Sequence, residues 1–60
     1  MDPKACVKWA WAAADEGDVD GMNEQVDAYR EWRRKGGFEP FPGADLQMGE
    51  VARLARSAVR

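Results

Sequence analysis

From Val19 to Trp32 the apolar side chains Val19, Met22, Val26, Tyr29 and Trp32 recur at intervals of three and four. That spacing keeps them on one face of a helix, and Asp20, Glu24, Asp27, Glu31 and Lys35 take the opposite side. The pattern predicts an amphipathic helix over 19–35. Its charges agree with the helix dipole: acids open it, Arg33, Arg34 and Lys35 close it, and Gly36 and Gly37 end it.

The preceding run, Ala5 to Ala14, is alanine-rich and predicts a helix over 3–16. Asp2 is a suitable N-cap, and Pro3 at the first helical position loses no hydrogen bond. Gly17 supplies a left-handed stop, and Asp18 can cap the next helix at once, giving a tight αα-hairpin. Further on, Met48, Val51, Leu54, Ala55, Ala58 and Val59 share one face of a helix expected over 46–59. Asp45 is its expected N-cap, and Gly49 weakens its first turns by up to about 1 kcal/mol.

Residues 36–44 form the connector. In Phe38-Glu39-Pro40-Phe41-Pro42-Gly43 each proline biases the residue before it toward extended geometry, so a stiff strap is expected. Phe38 and Phe41 are expected to pin it over the hairpin, with the isomer of each prolyl bond left open. The expected fold is all-α: a three-helix array of αα-hairpin, Pro/Phe-rich connector and third helix, in one domain over 1–60. Composition agrees, since the chain has no Ile or Thr and Val is its only β-branched residue.

The first helix is apolar nearly all the way round. Cys6, Ala10, Ala13 and Gly17 form a row of small residues that admits a close neighbour. Trp9 and Trp11, two residues apart, point roughly 160° away from each other at about 100° per residue. One small core cannot readily cover both indoles. A chain of 60 residues buries only about 60% of its unfolded surface, and oligomerisation is a common remedy. The expectation is a homodimeric helical bundle with Cys6, Trp9, Ala10, Trp11 and Ala13 at the interface. The expected function is that of a small helical protein–protein interaction module, self-associating through its first helix. A second copy is the expected partner, with another protein as a further candidate.

Charge and chemistry narrow the rest. Net charge is −2, but residues 1–30 hold three basic and seven acidic side chains and residues 31–60 hold six and four. That polarity could orient two copies head to tail, although helix-end preferences also account for it. Arg53, Arg56 and Arg60 line the polar side of the third helix and carry the alternative reading, an accessory nucleic-acid-associated factor. An acidic pI of about 4.9 opposes that reading, so a nucleic acid is a disfavoured partner.

Asp18-Val19-Asp20-Gly21 has the spacing of part of an EF-hand, yet Glu16 and Asp27 stand where the loop needs Asp and a bidentate Glu. A capped turn explains the same residues. With one Cys and no His, neither an internal disulfide nor a Cys/His zinc site can form. No metal, cofactor or catalytic residue is expected, and the chain is not read as an enzyme. The tetratricopeptide pattern is missing, and no family resemblance emerges. No stretch reads as a signal peptide or membrane span, so a cytoplasmic setting with a reduced thiol is expected.

Overall fold

The computed structural model describes residues 2–58. Three helices make up this span, α1 (Pro3–Glu16), α2 (Val19–Arg34) and α3 (Ala44–Ala58), with no strand among the described residues. The all-α, three-helix class expected from the residue pattern is the class observed. No helix of the described residues is long and apolar enough to cross a membrane.

Local chemistry places the hairpin. The Asp2 carboxylate accepts from the Lys4 N–H at 3.0 Å, with Pro3 in the first turn. At the other end Gly17 takes φ 71°, a conformation that costs any residue with a Cβ. Its N–H donates to the Ala14 carbonyl, and the Asp18 N–H donates to that of Ala13 at 2.8 Å, the paired bonds of a Schellman stop. Asp18 then accepts from the Gly21 N–H at 3.0 Å and caps α2. Because the chain is helical from Val19 onward, no twelve-residue calcium loop exists there. The end of α2 repeats the device, with Gly36 at φ 96° and the Gly37 N–H donating to the Trp32 carbonyl.

The core is built of small and medium side chains. Cys6, Val7, Ala10 and Ala13 of α1 meet Met22, Val26 and Tyr29 of α2 and Ala44, Met48, Val51 and Ala55 of α3. The α1–α2 pair is the most extensive of the three. A Cβ added at Gly21 would lie 3.2 Å from that of Ala13 and strike the Asp18 carboxylate. Glycine is therefore what lets the two helices close at their turn.

Several expectations need correction. The third helix begins at Ala44, and Asp45 is not its cap. Gly43, at φ 90°, turns the chain and its carbonyl accepts from the Gln47 N–H. The Glu39 carboxylate reaches from the connector to accept the Asp45 N–H at 3.0 Å. The Asp45 side chain is thereby freed to face α2. Leu54 and Ala58, expected on the inner face, are exposed. The inner face of α3 is the narrow stripe from Ala44 to Ala55, and Leu54 falls roughly 60° outside Val51. Val59 lies outside the described residues. Phe41 packs on the core as expected, whereas Phe38 is exposed and forms a T-shaped pair with Trp32, ring centroids 5.7 Å apart. Trp32 Nε1–H donates to the Phe38 carbonyl at 3.0 Å, so a hydrogen bond holds this end of the strap. No cis peptide occurs among the described residues.

Candidate functional site

Helical geometry sends the two neighbouring indoles to different surroundings. Trp11 turns toward α3, where its Nε1–H donates to Gln47 Oε1 at 3.1 Å and the ring packs against the core. Trp9 emerges on the flank of α1 beside α2 and remains 57% exposed. The bundle half-buries one indole and leaves the other largely bare, in keeping with the roughly 160° divergence.

Around Trp9 the α1–α2 surface forms an open groove of about 310 Å³. Ala12, Ala13 and Gly21 contribute its small residues, and Glu16, Asp18 and Glu24 its carboxylates. Among the described residues, none of these three carboxylates has a cationic partner within ion-pair distance. Lys8 Nζ stands 5.7 Å from the Trp9 ring centroid, near the limit for a cation–π contact. The groove therefore combines an unsheltered indole with carboxylates that no cation pairs among the described residues. Chemically it suits a partner that brings apolar and cationic side chains together.

The other residues expected at the interface turn inward. Cys6, Ala10 and Ala13 are buried in the chain's own core. Their small row does admit close neighbours, but α2 and α3 of the same chain fill that role. Burial pushes the Cys6 thiol up from its ordinary pKa, with Asp2 adding to the effect, opposite to what a reactive thiolate needs. Of the five expected residues, Trp9 alone stands open to a second molecule.

The basic residues divide as well. Arg53 and Arg56 are exposed and have no carboxylate partner among the described residues. Arg60 lies outside the described residues. Arg56 lines a shallow groove with Arg30 of α2, a juxtaposition made only by the packing of α3. Leu46 and Leu54, 78% and 47% exposed, stand with Arg53 on the outer side of α3. Leu46 carried no signal in the chain pattern, because an isolated exposed leucine looks like a core residue until packing assigns its side.

Arg33 and Arg34 are occupied. Arg33 grips both oxygens of Asp45, Nε to Oδ1 at 3.1 Å and Nη2 to Oδ2 at 2.9 Å, and Nη1 donates to the Gly37 carbonyl. The Tyr29 hydroxyl donates to the same Asp45 Oδ1 at 2.5 Å. Hydrogen bonds from Tyr29 and then Arg33 hold the Asp45 carboxyl below the usual aspartate range. Burial, followed by the Asp45 hydrogen bond, pushes the Tyr29 hydroxyl well above its ordinary value. Arg34 pairs with Glu31 at 2.7 Å and lowers the Glu31 carboxyl. A cleft of about 590 Å³ adjoins this cluster, with Arg30 and Gly49 among its walls. The cluster ties the end of α2 to the start of α3.

Among the described residues no three His, Cys, Asp or Glu side chains gather as a metal site. Comparison with protein-family models, with curated proteins and with solved structures finds no match for the chain.

Proposed function

We propose that this protein is a small helical protein–protein interaction module that self-associates through the exposed flank of α1, with Trp9 as its anchor. The carrying observation is the bare indole at 57% exposure, set on a helix whose other large apolar groups, Val7 and Trp11, pack in or against the core. Large aromatics at the centre of an interface commonly supply most of its binding energy. The interface is narrower than the chain pattern suggested, since Cys6, Ala10 and Ala13 serve the core. The reading is of a binding module and not a catalyst, in keeping with the sealed and poorly acidic Cys6. We place it in the cytoplasm, where a lone buried thiol remains reduced. The alternative, a nucleic-acid-associated factor, rests on the Arg53, Arg56 and Arg60 stripe, of which Arg53 and Arg56 are exposed among the described residues.

Sedimentation equilibrium at submillimolar protein tests the proposal. Wild type should sediment heavier than its 6.7 kDa chain mass, and Trp9→Ala should return to that mass with an unchanged helical circular dichroism spectrum. A folded wild type that stays at the single-chain mass rejects self-association.

A further inference from the structure

The Trp9 groove and the outer side of α3 are complementary in charge and in apolar content, and they lie on opposite sides of the molecule. The groove is lined by α1 and α2 only, with Glu16, Asp18 and Glu24 unpaired among the described residues. The exposed arc of α3 carries Leu46 and Arg53 opposite its buried stripe, with Leu54 on one flank and Arg56 on the other. Since α3 packs against both α1 and α2, the groove opens away from it. We infer that the occupant of the Trp9 groove is α3 of a second copy, so that copies join head to tail. This rests on the self-association reading and specifies its partner surface.

The geometry supports a helix laid in a groove, a common mode of recognition. α1 and α2 run antiparallel from their turn, which brings Glu24 across from Trp9 as two walls of one groove. On α3, Arg53 and Leu54 are neighbours about 100° apart and straddle the outward face. A second copy's α3 in the groove sets Leu54 toward the Trp9 wall and Arg53, with Arg56 on the flank away from Leu54, toward the Glu24 wall. Glu50, on the same face, offsets part of the attraction. Each copy brings only one helix or one open groove to the contact, a small surface beside the roughly 800 Å² that each partner buries in a standard interface. The contact is therefore weak, and charge pairing makes it salt-sensitive. With the two surfaces on opposite sides, one neighbour cannot engage both. The contact is heterologous and propagates into a chain or closes into a ring, unlike a two-fold dimer.

Mixing two variants provides the test. Trp9→Ala disables the groove and keeps the α3 surface, while the double variant Arg53→Glu, Arg56→Glu does the reverse. Each alone should sediment as a single chain. Their mixture should give a 1:1 complex that grows no further, because each variant retains one working surface and the complex uses both. Self-association of the arginine variant equal to that of wild type would overturn the head-to-tail contact and leave the Trp9 reading standing. A mixture that remains monomeric also overturns it, and a monomeric wild type sinks both. A readout that needs no variant is salt: wild-type association should fall as ionic strength rises, and insensitivity to molar salt contradicts the charge pairing.

Discussion

Tyr29 keeps its ring in the core and its hydroxyl on Asp45, so one side chain joins α2 to α3 by both packing and charge. A hydrogen bond to a charged acceptor contributes about 1.5–3 kcal/mol. Tyr29→Phe should therefore lower stability by about 1–2 kcal/mol in urea unfolding, since water can replace part of the bond at Asp45. The pair also sets the pH limits. Tyr29 ionises less readily folded than unfolded, so its contribution is intact below pH 10.0 and is lost as pH rises beyond it. Asp45 ionises more readily when folded, so its contribution is intact above pH 3.8 and is lost as pH falls below it. Tyr29→Phe should blunt the alkaline loss and Asp45→Asn the acid loss, read as thermal midpoints across pH. None of this was legible in the chain. Asp45 has the type and position of a helix cap, and only the approach of α2 shows that its carboxylate is used elsewhere.

Helix ends were the most legible feature, because capping is settled within a few residues. Asp2, Gly17, Asp18 and Gly36 perform the tasks their types suggest. The start of α3 was misread because its cap comes from Glu39, six residues before the N–H it satisfies. A turn that folds the connector back onto the helix is needed for that bond. Two glycine replacements should act with opposite signs. Gly49 sits in α3 with open space around an added Cβ, so Gly49→Ala should raise stability by up to about 1 kcal/mol. Gly17 has a left-handed backbone, and Gly17→Ala should lower stability by about 1–2 kcal/mol. Thermal or urea unfolding of both variants beside wild type checks the pair, and equal signs would contradict the assignment.

For the whole molecule, a core made largely of alanine, valine and methionine lets three short helices come close while enclosing little bulk. Such a chain has a thin margin of stability, and binding to a second copy adds to it by mass action. The thermal midpoint should thus rise with protein concentration for wild type and stay level for Trp9→Ala. An equal response in both would remove Trp9 from the interface. The amino-acid sequence by itself determined that the chain is helical, where the hairpin turns, and that two indoles two residues apart must part company. Those outcomes depend on backbone period and on groups within one turn of each other. Only the tertiary structure decided which indole is the more sheltered, that Cys6, Ala10 and Ala13 face inward, and that Leu46 and Leu54 stay exposed. A helical period places side chains around an axis, but which side is covered depends on where the other two helices lie.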